Sequence, residues 1–187
     1  MTTTLVEKTS EPLYSAIKGS GIHEHLISVL VENRPGVLAR ISGMFAARGY
    51  NIASLAVGAT TDPAVSRMTM VCVADDKALE QIIKQLRKII EVIRVADFWH
   101  RSHVERELML IKVKSKTETR SEIMQMVDIF RGRVIDVHHD SLVVEVSGAR
   151  DKNVALLELL EPFGVLEIAR TGRIALSRGP DFMKVPD

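Results

Sequence analysis

The sequence predicts an α+β protein made of two tandem βαββαβ units. Two observations carry this prediction. Runs of strand-forming residues alternate with stretches whose apolar residues recur at helical spacing, and the same order of elements occurs once in each half of the chain. That order is the ferredoxin-like arrangement, a four-stranded antiparallel sheet with both helices on one face. A length of 187 residues suits two small domains of this kind.

The first unit is predicted over residues 25–100. Its four strands are expected over 25–32, 51–60, 65–74 and 92–99. The first helix should follow the turn that starts at Asn33, with Pro35 in its first turn and Gly49 as its left-handed cap. A second helix should open at Asp75, because acidic side chains suit the positive end of the helix dipole.

The second unit is predicted over residues 101–179. Its strands are expected over 108–113, 134–138, 142–146 and 165–176. One helix is expected over 118–131 with Gly132 as its cap, and another should contain residues 153–160. Residues 1–24 are predicted to form a flexible tail with a short helical piece near 13–18, and residues 180–187 a loose tail.

The composition argues against several classes of protein. A net charge of +1 gives no electrostatic reason to expect a nucleic acid or a membrane surface as partner. Aromatic residues make up only 4%, and the strand at 65–74 lacks those that an RNA-recognition domain on this scaffold needs. No apolar run approaches the roughly 20 residues needed to cross a bilayer. The N-terminus does not have the order of a signal peptide, and the single cysteine fits a reducing compartment, so a cytoplasmic location is expected.

A second copy of the chain is the expected partner of the first unit. A ferredoxin-like sheet carries its helices on one face and leaves the other bare. The predicted strands have apolar residues on both faces, so something should cover the bare one. The sequence therefore predicts a homodimer.

The turn that begins at Asn33 is the candidate binding site. A helix N-terminus presents free N–H groups and a partial positive charge, which suit a carboxylate. Gly36 has no Cβ, so a ligand could approach the backbone, and Asn33 supplies an amide that both donates and accepts. Asn51 is expected close to this turn. These residues suit recognition of a zwitterion; the alternative is that Asn33 only caps the helix and Asn51 only tolerates a turn after Gly49.

The remaining reactive side chains show no catalytic or metal-binding pattern. The spacing of the six histidines completes no zinc site, so they are interpreted as surface or interface residues. Cys72 lies in the middle of a predicted strand without an activating neighbour, which favours a buried thiol over a nucleophile.

Several stretches carry a resemblance to a known family. Seven of them match in order along the chain, at residues 33–40, 48–55, 66–70, 79–86, 103–112, 129–137 and 170–179. Residues 25–99 resemble an ACT domain, an amino-acid-sensing module. Residues 25–179 as a whole resemble the small regulatory subunit of acetolactate synthase (acetohydroxyacid synthase).

The resemblance implies a chain with no chemistry of its own. A large catalytic subunit is expected to hold thiamine diphosphate, Mg²⁺ and FAD and to condense pyruvate with a second 2-oxoacid. The small subunit is expected to raise that activity and to confer feedback inhibition by a branched-chain amino acid, usually valine. A free-standing amino-acid sensor that controls another protein is the alternative.

The resemblance also implies where the effector binds. It is expected at the interface between paired ACT domains, at the positions that match the family pattern, namely Asn33, Gly36, Val37, Leu38, Asn51 and Ile52. Val37 and Leu38 should offer backbone N–H groups to the carboxylate. The choice among valine, leucine and isoleucine stays open, as do the stoichiometry with the large subunit and the surface that contacts it.

Overall fold

The first domain is a four-stranded antiparallel sheet with two helices on one face. The computed structural model describes residues 21–99 and 101–185 of the chain. The elements of this domain are β1 (His23–Glu32), α1 (Val37–Ala46), β2 (Ile52–Ala59), β3 (Val65–Ala74), α2 (Asp76–Leu86) and β4 (Val92–Asp97). The strand order is β2-β3-β1-β4. Residues 1–20, on which the predicted tail and its helical piece fall, lie outside the described residues.

Alternating residues of β1 and β3 build the core of this domain beneath α1 and α2. Ile27, Val29 and Met70 are fully buried against the apolar sides of the two helices, where Ile41 and Ile82 are also fully buried. Helix α2 begins as predicted, because the Asp75 side chain accepts a hydrogen bond from the Ala78 amide at 2.7 Å.

The second domain repeats this plan with one more strand. Its elements are β5 (His103–Lys114), α3 (Thr117–Ile129), β6 (Arg133–Val137), β7 (Ser141–Gly148), α4 (Arg150–Leu160), a 3-10 turn (Glu161–Phe163), β8 (Val165–Arg170) and β9 (Ile174–Ser177). The order β6-β7-β5-β8 places β5 centrally, and β9 pairs with the first residues of β5. The predicted α+β class with two ferredoxin-like units is confirmed.

The single strand predicted over 165–176 is wrong. The chain leaves the sheet after Arg170, and Gly172 adopts a left-handed conformation with φ 78°. β5 pairs with β8 from Met109 to Val113 and with β9 from His103 to Arg106. Because of this break, the long strand β5 pairs with β8 along one part of its length and with β9 along another.

The predicted end of α3 is also corrected. The left-handed residue is Arg131, with φ 52°, and Gly132 follows it. Gly132 is required for a different reason, since a Cβ there would lie 3.0 Å from the Glu145 carbonyl oxygen of β7. Close approach of two backbones, rather than left-handed geometry, explains this glycine.

The face of the first sheet that we expected a second copy to cover is covered partly by the same chain. Ala175 of β9 is buried against Leu26, Val71 and Phe98 on that face. The predicted loose tail contacts this face at Met183 and Lys184, where Arg67 Nη1 lies 3.5 Å from the Met183 Sδ and the Arg94 Nε donates to the Lys184 carbonyl at 3.0 Å. A bare sheet face is therefore no longer an argument for the predicted homodimer, which must be argued from another feature. No helix among the described residues is long and apolar enough to cross a membrane.

Candidate functional site

The turn between β1 and α1 is tied to the loop that joins β2 and β3. The Asn33 amide N–H donates to the Ala64 carbonyl at 2.7 Å, and its side-chain Nδ2 donates to the Pro63 carbonyl at 2.9 Å. Asn33 therefore does not cap α1, contrary to one interpretation of the sequence. Its Oδ1 accepts no hydrogen bond from the described residues, so it remains available to a donor.

Gly36 is the residue that precedes α1. Its φ of 87° and ψ of −13° lie in the left-handed region, which favours glycine. The helix begins at Val37, so Pro35 lies before the first turn rather than inside it as predicted. Space beside Gly36 is open, because a Cβ built there meets no atom within 4 Å.

The first turn of α1 presents unpaired backbone donors. The first backbone bond of the helix runs from the Arg40 amide to the Gly36 carbonyl at 2.9 Å. The Leu38 and Ala39 amides have no acceptor among the described residues, and the helix has neither a side-chain cap nor an acidic residue in its first turn. Val37 is buried while the Leu38 side chain is about half exposed. The sequence pattern did not single out Ala39, because every residue except proline has a backbone N–H and the residue type does not show which of them is unpaired.

Asn51 and Ile52 lie at the opposite end of the sheet. β1 and β2 are both antiparallel to β3, so they are parallel to each other, and Ile52 lies level with Cys72 and His25. Asn33 follows the other end of β1, roughly 26 Å from that level for the eight residues of extended chain between His25 and Asn33. The prediction that Asn51 lies close to the Asn33 turn is therefore wrong within one chain.

Cys72 and His25 occupy buried positions in the first sheet. Cys72 is 1% exposed, as predicted, and burial, together with the charge of Asp97, raises the pKa of its thiol to about 12. His25 is fully buried within the chain, unlike the predicted surface or interface histidine, and its Nε2 lies 3.0 Å from the Ala74 carbonyl. No group of three or more His, Cys, Asp or Glu in the described part of the chain could hold a metal ion.

A charged cluster at the domain boundary was not predicted from the sequence. Arg173, in the loop between β8 and β9, pairs with Glu24 of β1 at 2.5 Å and with Glu105 of β5 at 3.4 Å. Arg150, the first residue of α4, lies 3.7 Å from the same Glu24. These residues are far apart in sequence, so no local pattern could have grouped them.

Comparison with known proteins follows the same division of the chain. A family model described as the AHAS small subunit-like ACT domain matches residues 27–94. A second model, described as the small subunit of acetolactate synthase, matches residues 106–179.

Relatives and a solved structure match over most of their length. A probable acetolactate synthase small subunit of Archaeoglobus fulgidus is 51% identical over 156 residues, 83% of this chain and 98% of that protein. The acetolactate synthase small subunit of Mycolicibacterium smegmatis is 50% identical over 161 residues, 86% of this chain and 95% of that protein. The crystal structure of the small subunit from Thermotoga maritima gives a TM-score of 0.77 at 44% identity, covering 85% of this chain and 99% of that one. This chain belongs to the family of acetolactate synthase small subunits, with an ACT domain as its first half.

Proposed function

We propose that this chain activates the large catalytic subunit of acetolactate synthase and makes it sensitive to feedback inhibition by a branched-chain amino acid, with valine as the expected effector. The observation that carries the proposal is the first turn of α1, where two unpaired amides follow a left-handed glycine. Thiamine diphosphate, Mg²⁺ and FAD are expected in the large subunit, and none of them in this chain.

The effector's carboxylate would bind at the start of α1. The Leu38 and Ala39 amides would donate to it, and the helix dipole would add a favourable partial charge. The open space beside Gly36 leaves room for the approach. The free Oδ1 of Asn33 would accept from the effector's ammonium group, since the Nδ2 of the same amide is already bound to Pro63.

Asn51 and Ile52 would reach this position from a second copy of the chain. β2 is an edge strand of its sheet, so one side of its backbone can pair with another strand. Antiparallel pairing of two β2 strands would set Ile52 of one copy opposite Ala59 of the other. Ala59 lies at the same end of the sheet as Asn33, because Ala59 pairs with Ser66 and Ser66 with Val31. The pocket would then combine Asn33 of one copy with Asn51 of the other.

Regulation would follow from a site that is complete only across an interface. An effector that bridges two copies binds one arrangement of the dimer better than another, and only that difference in affinity can be passed to the large subunit. Couplings of this kind are typically about 1–3 kcal/mol, or roughly 5–150-fold.

Reconstitution with the large subunit tests the proposal. Acetolactate formation from pyruvate should rise when the chain is added to the large subunit, and one of valine, leucine and isoleucine should abolish that rise. The chain alone should form no acetolactate. A chain that binds an amino acid but neither co-purifies with the large subunit nor changes its rate would instead support the free-standing sensor.

A further inference from the structure

A small cleft between the two domains contains charges that the proposed effector site does not use. It has a volume of about 240 Å³. Ser54, Leu55 and Val71 line it from β2 and β3, and the charged residues of the second domain that line it are Glu107, Arg150, Arg170 and Arg173. It lies on the face of the first sheet opposite α1 and α2, so it is separate from the Asn33 turn.

Glu107 is the unusual residue of this cleft. It is 6% exposed, and its carboxylate makes no hydrogen bond or ion pair with any described residue. Its position is fixed through the backbone, since Asn153 Nδ2 donates to the Glu107 carbonyl at 2.9 Å. A carboxylate that is largely withdrawn from water and has no partner is costly in free energy of folding, because it keeps only part of its hydration. Such a group beside a cleft suits a cationic ligand group.

Arg173, which bridges the two domains, makes no ion pair with Glu107. Arg173 is occupied by Glu24 at 2.5 Å and by Glu105 at 3.4 Å. Arg170, by contrast, has an exposed guanidinium with no ion pair to any residue that the structure describes. Besides Arg150 and Arg173, which both pair with Glu24, the cleft thus contains one anion and one cation without an ion pair among the described residues.

The strand register sets the spacing of these two charges. Arg170 pairs with Met109 across the β5–β8 ladder, and Glu107 precedes Met109 by two residues on the same face of β5. Diagonal neighbours of this kind have backbones about 7–8 Å apart. A molecule whose ammonium and carboxylate are carried on one carbon atom fits between two side chains at that separation.

The other walls limit what such a ligand can carry. Val71 offers apolar surface, and Leu55 borders the cleft through its backbone, because its side chain packs against the core under α1 and α2. The Ser54 hydroxyl is buried without a hydrogen-bond partner among the described residues. A volume of about 240 Å³ has room for a free amino acid with a small aliphatic side chain.

We propose that this cleft is a second ligand site, which binds a free α-amino acid with a small aliphatic side chain. The ammonium binds Glu107 and the Ser54 hydroxyl, and the carboxylate binds Arg170. A ligand held this way contacts both domains of one chain. The site stands independently of the proposed effector site, which needs a second copy.

Calorimetry on the full chain tests the second site. Gly36→Asp removes the proposed effector site, so titration of that variant with L-valine and L-alanine should show residual binding of one molecule per chain. Adding Glu107→Gln or Arg170→Gln should weaken the residual binding at least tenfold, while Glu158→Gln, on the exposed side of α4, should not change it. N-acetyl-L-valine, which lacks the ammonium group, should not bind.

Thermal unfolding separates a ligand site from a structural role. Glu107→Gln removes an unpaired buried charge, so the melting temperature without ligand should stay equal or rise, while the increase caused by valine in the Gly36→Asp background should vanish. The proposal is overturned if the Gly36→Asp variant binds neither amino acid, or if Glu107→Gln leaves its binding unchanged. Failure of the proposed function is seen separately, as an acetolactate rate that does not respond to the chain or to amino acids.

Discussion

Arg173 and Glu24 join the two domains through an ion pair of 2.5 Å, with both side chains largely withdrawn from solvent. Arg173 belongs to the loop that interrupts the last strands, and Glu24 lies near the start of β1. Because Arg173 also reaches Glu105, one guanidinium satisfies a carboxylate from each domain. The position of the second domain on the first sheet therefore depends on this loop.

Replacing Arg173 by Gln should destabilise the fold. Two largely buried carboxylates would lose their nearest side-chain cation, and Arg150 would remain 3.7 Å from Glu24. The expected loss is about 3 kcal/mol, at the lower end of the range for buried pairs, because this second arginine and some solvent contact remain. Urea unfolding followed by circular dichroism measures it. Lys84→Gln, which breaks the exposed pair with Glu80, is the matched control and should cost about 0.5 kcal/mol or less. Equal losses in the two variants would contradict the assigned role.

Gly172→Ala should also loosen the domain boundary. Gly172 has φ 78°, and a Cβ there would lie 3.3 Å from the Leu55 carbonyl oxygen of β2. The left-handed conformation alone costs an alanine about 1–2 kcal/mol, and the tight contact adds to that cost. Gly43→Ala in α1 is the control, since nothing lies within 4 Å of its Cβ position; it should stabilise the protein by about 0.5–1 kcal/mol. Chemical unfolding of both variants measures the difference, and a stabilised Gly172→Ala protein would refute the argument.

The sequence predicted the bounds of helices and strands better than the contacts between residues that are far apart in the chain. β3 has the predicted bounds because strict alternation of residues marks a strand, and α2 begins at the predicted cap because Asp75 acts locally. The break around Gly172 was visible as a glycine, yet its reason is the contact with Leu55, which belongs to another domain.

The candidate site was predicted only in part. The turn at Asn33 and its left-handed glycine follow from local sequence. The expectation that Asn51 lies beside that turn overlooked that β1 and β2 run parallel, which puts the start of one strand and the end of the other at opposite ends of the sheet. Glu107 and Arg170 could not be grouped without knowing how β5 and β8 are aligned.

Gly36→Asp should weaken feedback inhibition and leave activation of the large subunit largely intact. The new carboxylate would stand where the carboxylate of the effector is proposed to bind, and like charges repel. Gly36→Asn is the matched control, because asparagine tolerates a left-handed φ without adding charge. Inhibition curves for acetolactate formation should shift to at least tenfold higher valine for the Asp variant and less for the Asn variant. An unshifted Asp curve would argue against a carboxylate site at α1.

The Cys72 thiol should be unreactive in the folded protein. Burial raises its pKa to about 12, so almost no thiolate exists at pH 8, and native protein should react with a disulfide reagent only after unfolding. The raised pKa also makes stability fall as pH rises from the ordinary thiol value of 9.0 towards 12, because the unfolded chain loses a proton that the folded chain keeps. Cys72→Ala should show a shallower fall in urea midpoint over this range. Rapid modification of native protein at pH 8 would contradict the buried thiol.

Mixing two defective chains tests the assembly of the effector pocket directly. Asn51→Ala should weaken inhibition as Gly36→Asp does, since each removes one side of the proposed site. In a heterodimer of the two variants, the intact Gly36 turn of the Asn51→Ala chain would face the intact Asn51 of the Gly36→Asp chain, so one of the two pockets would be complete. Co-expressed chains with different affinity tags, purified through both, should therefore regain high-affinity valine binding at about half of the wild-type stoichiometry.

The double variant Gly36→Asp/Asn51→Ala paired with wild type is the control, because it leaves no pocket with both sides intact. If Asn51 acted within its own chain, that control would keep one complete pocket and the mixed variants none, which reverses the expected result.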